Sequence, residues 1–121
     1  MEKDRALAAL AALAQDNRLD VFRLLVEAGP QGMPAGAVAT TVGLAPNTLT
    51  FHFDRLRDAG LVTVRREGRS MIYAAQYDTM NALLAYLTEN CCQGAQKDCL
   101  PANVCKPTQK TVQAKRAKVR A

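Results

Sequence analysis

The sequence predicts one mainly helical α+β domain built from five helices and a two-stranded β-hairpin. Apolar residues recur at the spacing of amphipathic helices along much of the chain, and two short β-rich runs flank a Glu-Gly pair. Glycine or proline marks most of the junctions between these segments. With 121 residues, 49% of them hydrophobic, the chain suits a single domain with a real core and is not a disordered protein.

The helices are placed by their apolar stripes and by residues that start or stop helices. Asp16 is expected to cap the second helix, Gly43 to end the third, and Pro46 to lie at the start of the fourth. Asp78 or Thr79 is expected to cap the fifth. The predicted helices span residues 3–15, 17–28, 34–42, 45–59 and 79–91.

The β-rich runs at residues 61–66 and 69–73 predict a hairpin that follows the fourth helix. A short helix, a glycine turn, a second helix and a hairpin, in that order, form a winged helix-turn-helix. In this motif the second helix enters the DNA major groove and the wing lies along the backbone or the minor groove. The alternative is a helix pair in an ordinary helical domain with a solvated arginine hairpin.

The fourth helix has an apolar face and a polar face. The apolar face, expected to pack inward, carries Leu49, Phe53 and Leu56. On the polar face, Asn47 can pair with adenine, and Thr50 or Phe51 can contact a thymine methyl group. The predicted DNA contacts on this helix and on the wing are Asn47, Thr48, Thr50, Phe51, Arg55, Arg65, Arg66 and Arg69.

The net charge of +5 comes from one end of the chain. Residues 106–121 carry six basic residues and no acidic one, which leaves ten basic and eleven acidic residues before them. The total charge therefore does not predict DNA binding, whereas the arginines of the wing do, as phosphate or minor-groove contacts. We expect residues 1–92 to form a DNA-binding and dimerisation domain and residues 93–121 to form a flexible, cysteine-containing basic tail.

The one histidine, His52, lies at the edge of the apolar face of the fourth helix. We expect it to be half-buried and hydrogen-bonded rather than a metal ligand or a base contact. It is far in sequence from the cysteines, and a lone histidine gives weak support for a metal site.

Residues 47–62, NTLTFHFDRLRDAGLV, resemble the recognition-helix signature of the ArsR/SmtB family of metalloregulatory repressors. Thr50, His52, Leu56 and residues 59–62 occupy the places of the family pattern, and Phe53 replaces its usual leucine. The wing segment REGRSMIYAA resembles the family's R-x-G-R-x-x-x-Y pattern. The resemblance covers about residues 5–92.

This resemblance implies a homodimer that pairs through its first and last helices and binds double-stranded operator DNA as an inverted repeat. The apolar stripes of those helices agree with it, because a small domain has no other way to bury them. The implied dimer contacts are Leu7, Leu10, Leu83, Leu84 and Leu87.

Two of the family's inducer sites are absent from this sequence. The third helix lacks the cysteine pair of the best-known arsenic site, and the fifth helix lacks the histidine of the zinc site, with only Asp78 matching. The adjacent cysteines at the predicted end of the fifth helix, with a third cysteine seven residues on, resemble an arsenite-responsive branch with a C-terminal Cys-Cys pair. The implied metal ligands are Cys91, Cys92 and Cys99, with the role of Cys105 open.

The cysteine chemistry agrees with this resemblance. All four cysteines fall within 15 residues, whereas structural disulfides would be spread across the elements that they join. Thiolates select soft ions, and As(III) and Sb(III) bind three sulfurs in a pyramid. Zn(II) takes four ligands, so a soft divalent metal such as zinc or cadmium stays open with Cys105 as the fourth, as does thiol oxidation. The negative end of a helix dipole disfavours thiolates, so protonated thiols are expected until the inducer binds.

The expected mechanism couples two sites in a cytoplasmic repressor. Inducer binding after the fifth helix changes the spacing or mobility of the recognition helices, and typical coupling lowers DNA affinity about 5- to 150-fold. No small organic substrate, organic cofactor or membrane span is expected. An enzyme is not expected, since no phosphate loop, carboxylate pair or Cys–His pair stands at useful spacing. A metal chaperone would leave the arginine wing without a purpose.

Overall fold

The computed structural model describes residues 1–91, and residues 1–88 of these form one compact unit. The predicted mainly helical winged helix-turn-helix is confirmed, with five helices in the described range. None of these helices is both long enough and apolar enough to cross a membrane. In chain order the elements are α1 (Lys3–Leu13), α2 (Asp16–Ala28), β1 (Met33–Pro34), α3 (Ala35–Val42), α4 (Pro46–Asp58), β2 (Val62–Glu67), β3 (Ser70–Ala75) and α5 (Tyr77–Leu87).

The sheet has three strands instead of the predicted two. Strands β2 and β3 form the expected antiparallel hairpin, and β1 adds to the other edge of β3, with Met33 opposite Tyr73. A strand of two residues carries no alternation that sequence analysis can detect. The wing is therefore attached to the loop between α2 and α3 as well as to α4.

Gly32 allows the chain to approach β3 closely enough for β1 to pair. Its φ of 79° lies in the left-handed region that favours glycine. A Cβ atom at this position would collide with the carbonyl oxygen of Tyr73. The close pairing of β1 with β3 thus depends on a glycine directly before it.

The core lies where α1, α2 and α4 meet the sheet. Phe53 of α4 stacks on Tyr73 of β3, with ring centroids 3.6 Å apart and planes inclined by 7°. The Tyr77 hydroxyl donates a hydrogen bond of 2.8 Å to the carbonyl oxygen of Val26, which ties α5 to α2. The largest fully buried side chains are Phe53, Leu25, Leu49, Leu56, Leu61, Val21 and Val38.

Arg18 closes the junction between α1 and α2. The prediction that Asp16 caps α2 is wrong, because the side-chain oxygen of Gln15 accepts the Arg18 backbone N–H at 2.9 Å. The Arg18 Nε atom donates to the carbonyl oxygen of Ala12 at 2.6 Å, in the last turn of α1. This bond satisfies a helix-end carbonyl that would otherwise lack a partner within the helix.

The last helix ends earlier than predicted. It stops at Leu87, and Thr88 follows as its C-cap, with a hydroxyl that donates to the Leu84 carbonyl oxygen at 2.7 Å. Cys91 therefore lies four residues beyond α5 instead of in its last turn. The expectation that Cys91 lies at the end of this helix, where the helix dipole acts, is therefore wrong, because that effect falls off within the last turn.

Candidate nucleic-acid interface

The two faces of α4 are separated as the sequence predicts. Leu49, Phe53 and Leu56 are buried on the inner face, together with His52. The helix begins at Pro46, whose missing N–H costs nothing in a first turn. All five predicted base contacts on this helix are exposed: Asn47, Thr48, Thr50, Phe51 and Arg55.

The first turns of α4 present polar groups to solvent. The Thr50 hydroxyl donates to the Pro46 carbonyl oxygen at 3.0 Å, so its oxygen keeps acceptor capacity for a base amine. Asn47 and Thr48 make no side-chain hydrogen bond within the part of the chain that the structure describes. Their donors and acceptors are therefore available to base edges, which residues in the first turns of a recognition helix contact.

Phe51 is 55% exposed on the outer face, yet its ring is held between two neighbours. The His52 ring approaches it in a T-shaped arrangement, with centroids 5.6 Å apart and planes at 63°. On another side, the guanidinium carbon of Arg55 lies 5.3 Å from the centroid of the Phe51 ring. Sequence analysis placed both residues on the interface but missed this contact, although their i, i+4 spacing signals it.

His52 is more deeply buried than expected. Its side chain is only 6% exposed, and its Nδ1 atom has no hydrogen-bond partner among the described residues. Burial, and to a smaller extent the positive charge of Arg18, lower the pKa of His52 below its usual 6.5. The prediction of a half-buried, hydrogen-bonded histidine is therefore wrong for the burial of the side chain and for Nδ1, because no donor or acceptor of a described residue is placed to form a hydrogen bond with that atom.

The outer face also carries two ion pairs. Arg57 lies 3.7 Å from Asp54, and Arg55 lies 3.6 Å from Asp58, each three residues apart on the helix. All four side chains are about half exposed or more, so these pairs add little to stability. They do fix where the positive and negative charges of the face lie relative to one another.

The three wing arginines are exposed, but they differ in their contacts. Arg65 is held by the protein: its Nε donates to the Glu67 carboxylate at 2.7 Å and its Nη2 to the Gln31 carbonyl oxygen at 2.9 Å. Arg66 donates from Nε to the Gly68 carbonyl oxygen at 3.0 Å. Arg69 makes no hydrogen bond or ion pair with any described residue. The sequence predicted three equivalent cations. In the structure Arg65 is paired with a carboxylate, whereas Arg66 and Arg69 form no ion pair with a described residue.

The predicted dimer contacts fall into two groups. Leu7 and Leu10 on α1 and Leu84 and Leu87 on α5 are exposed, as an interface needs. Leu83 is only 5% exposed and belongs to the core of the single chain. Leu83 therefore packs within the single chain, and Leu84 and Leu87 are the predicted contacts of α5 that remain exposed.

The predicted metal ligands are placed only in part. Cys91 is described, whereas Cys92, Cys99 and Cys105 lie outside the described residues. Within the described range no group of three His, Cys, Asp or Glu side chains stands close enough together to hold a metal ion. The thiol site therefore stays a prediction.

The sequence is similar to those of several known proteins. A family model described as a helix-turn-helix domain matches residues 13–65. The chain is 29% identical over 89 residues to the HTH-type transcriptional regulator YgaV of Escherichia coli, which covers 74% of this chain and 88% of that protein. It is 30% identical over 73 residues to the uncharacterized HTH-type transcriptional regulator YceK of Bacillus subtilis, which covers 60% of this chain and 72% of that protein.

A solved structure shares the fold. It is the homodimeric winged helix-turn-helix DNA-binding domain of a possible ArsR-family transcriptional regulator from Mycobacterium bovis, with a TM-score of 0.59 and 27% identity. The match covers 70% of this chain and 77% of that one.

Proposed function

The chain belongs to the helix-turn-helix transcriptional regulators of the ArsR type, and from this we propose that it is a homodimeric repressor that leaves its operator when trivalent arsenic or antimony binds its cysteines. Its relatives are transcriptional regulators, which confirms the prediction that the chain is not an enzyme. The observation that carries the proposal is the polar outer face of α4. That face points away from the core and has donors and acceptors that the protein does not use.

DNA binding in this proposal uses two surfaces. Asn47 and Thr48, in the first turn of α4, contact base edges in the major groove. Arg66 and Arg69 in the wing contact phosphates or the minor groove and so fix the position of the domain on the duplex. Arg65, held by Glu67 and by the loop before β1, supports the wing more than it contacts DNA.

Dimerisation in this proposal uses the exposed leucines of α1 and α5. Leu7, Leu10, Leu84 and Leu87 are apolar and exposed in the single chain, and burying them against a second copy removes that surface from water. A two-fold dimer presents two copies of α4 to the two halves of an inverted repeat, about one helical turn apart.

The proposed inducer site is formed by Cys91, Cys92 and Cys99. Three thiolates match the three-sulfur pyramid of As(III) or Sb(III). Each bond from the metalloid to sulfur replaces one to a hydroxyl group, which leaves as water with the thiol proton. The site follows α5 in the chain, and α5 carries Leu84 and Leu87 of the proposed dimer surface. In this proposal, inducer binding directly after α5 in the chain alters the dimer contacts of that helix and with them the spacing of the two recognition helices, and typical coupling lowers operator affinity about 5- to 150-fold.

Operator release tests this proposal. A duplex selected from a random library with the full-length protein is labelled, and its release is followed by fluorescence anisotropy with As(III), Sb(III), Cd(II), Zn(II) and peroxide. The variants are Cys91→Ser, Cys92→Ser and Cys99→Ser, and Cys105→Ser is the matched control. We expect arsenite or antimonite to release the wild type and the control but none of the other three.

Three results would contradict the three-thiolate site. Release by zinc or cadmium but not by arsenite, with a requirement for Cys105, would indicate a four-ligand divalent site. Release by peroxide alone would indicate a thiol oxidation sensor. A full arsenite response in the Cys92→Ser protein would also exclude the proposed ligand set.

A further inference from the structure

Phe51 is the one large apolar side chain that α4 exposes to solvent. The other apolar residues of this helix that follow Pro46 are buried on its inner face. Phe51 makes no contribution to the core, and it lies among the polar groups proposed to contact DNA.

The Phe51 ring makes two contacts with neighbours on α4. The His52 ring, itself almost fully buried, approaches Phe51 at 5.6 Å between centroids. The Arg55 guanidinium lies over the Phe51 ring at 5.3 Å, a cation–π contact that suits an exposed pair. Phe51 and Arg55 thus lie in contact on the outer face, with His52 beside the Phe51 ring.

The donors of Arg55 are available to a ligand. Its nearest acidic neighbour is Asp58 at 3.6 Å, which is longer than a hydrogen bond, and both side chains are exposed. A guanidinium in this state presents parallel N–H groups to a planar pair of acceptors. The commonest specific contact of this kind in the major groove is arginine with O6 and N7 of guanine.

The separation of the two groups limits which base pairs they contact. Successive base pairs are about 3.4 Å apart, so two contacts with an unread pair between them need about 6.8 Å. The guanidinium and the ring centroid are closer than that, at 5.3 Å. The two side chains are therefore spaced to contact neighbouring base pairs.

We propose that Phe51 and Arg55 together recognise a T·A pair directly beside a G·C pair in each operator half-site. The Phe51 ring covers the C5-methyl group of thymine, and Arg55 donates to O6 and N7 of guanine. A phosphate would satisfy Arg55 but not the Phe51 ring, because the face of an aromatic ring carries negative potential and does not attract an anion. The inference rests on the proposed DNA-binding function.

The first test selects duplexes from a random-sequence library with full-length wild-type protein, Phe51→Ala and Arg55→Gln. Arg57→Gln is the matched control, because it makes the same charge change in the same kind of exposed ion pair on the same helix, and among the described residues it is Arg55 and not Arg57 that lies over the Phe51 ring. We expect wild type and control to enrich adjacent T·A and G·C pairs, Phe51→Ala to lose the thymine preference, and Arg55→Gln to lose the guanine preference.

The second test changes single groups in the selected duplex and measures affinity by fluorescence anisotropy. Uracil in place of thymine removes only the methyl group, and we expect wild type to lose about fourfold in affinity and Phe51→Ala to lose nothing. Replacing guanine by 7-deazaguanine removes the N7 acceptor, with an expected loss of about fivefold for wild type and Arg57→Gln and none for Arg55→Gln.

The outcomes separate this inference from the proposed function. If wild type enriches no sequence at all, operator binding itself is wrong, and the inference is wrong with it. If it enriches a sequence without the T·A and G·C neighbours, or if Phe51→Ala keeps the full uracil penalty, only the inference is overturned. Circular dichroism of Phe51→Ala, expected to match wild type because the ring lies outside the core, excludes unfolding as the cause.

Discussion

Phe51 and Phe53 are two residues apart on α4 and lie on opposite faces of it. Phe53 is 1% exposed and stacks on Tyr73 of the wing, whereas Phe51 is 55% exposed and contacts Arg55. The side chains are chemically identical, so the difference between them comes entirely from the helical period. The comparison shows that one helix can carry the stability of the domain on one face and its recognition chemistry on the other.

The partners of the two faces differ in kind. The inner face packs against apolar side chains from α1, α2 and the sheet, which the chain itself supplies. The outer face has exposed ion pairs, worth about 0–1 kcal/mol each, and polar side chains such as Asn47 and Thr48 that make no hydrogen bond with a described residue. Substitutions on the inner face should therefore change the free energy of unfolding, and substitutions on the outer face should change DNA affinity.

The largest expected effect comes from exchanging the two phenylalanines for alanine, one at a time. Phe53→Ala should lower the free energy of unfolding by about 3–5 kcal/mol, because it leaves a cavity in the core beside Tyr73. Phe51→Ala should change it by no more than about 0.5 kcal/mol. Urea unfolding at one fixed protein concentration measures both, since dimerisation makes stability depend on concentration. Equal losses in the two variants would show that the outer ring is also structural.

The second effect concerns His52, the polar residue of the inner face. Burial and then Arg18 lower its pKa in the folded protein below 6.5, so the unfolded chain binds more protons once the pH falls below that value. The stability that His52 contributes is complete above pH 6.5 and decreases as the pH falls from there to the folded pKa. The slope cannot exceed about 1.4 kcal/mol per pH unit for one proton per chain.

Urea unfolding of wild type and His52→Gln from about pH 5 to 8 measures this dependence. Glutamine keeps a polar side chain but does not titrate, so the slope below pH 6.5 should disappear in the variant. Carboxyl groups titrate mostly below this window and contribute little to it. The same slope in both proteins would assign the proton uptake to another group.

The features of α4 and of the wing also differ in how well the sequence alone predicts them. The inner face and the exposure of Phe51 were predictable, because both depend only on a period of 3.6 residues. That His52 Nδ1 has no hydrogen-bond partner among the described residues was not predictable, since it depends on which residues of other elements pack nearby. The hydrogen bond from Arg65 to the carbonyl oxygen of Gln31, 34 positions earlier, was not predictable either, because it depends on the path of the loop before β1.

The residues at which helices end were the hardest to predict, because they too depend on local geometry that the apolar pattern does not show. The apolar pattern of α5 continues as far as Leu87. The spacing of apolar residues does not show whether the residues after Leu87 form one more helical turn or a loop. A hydrogen bond from the Thr88 hydroxyl to the Leu84 carbonyl marks the end, and this is a local geometric choice. The position of Cys91 relative to the helix was misjudged as a result.

The smallest expected effect tests whether the outer face carries charge for DNA and not for the fold. Asp54→Asn removes the carboxylate that lies 3.7 Å from Arg57. Because the pair is exposed, the free energy of unfolding should change by less than about 0.5 kcal/mol. DNA affinity should rise, because an anion is removed from a surface that meets phosphates and Arg57 is released from it.

If Arg57 then gains one phosphate per protomer, the slope of log affinity against log salt should steepen by about 1.8 for the dimer. Anisotropy titrations over a range of salt concentrations measure both the affinity and the slope. An unchanged slope and affinity would place the Asp54 side of α4 away from the duplex. The DNA-contacting surface would then be limited to the side of α4 that carries Asn47, Phe51 and Arg55. The helix would have a buried side, a DNA-contacting side and a solvent-exposed side with Asp54.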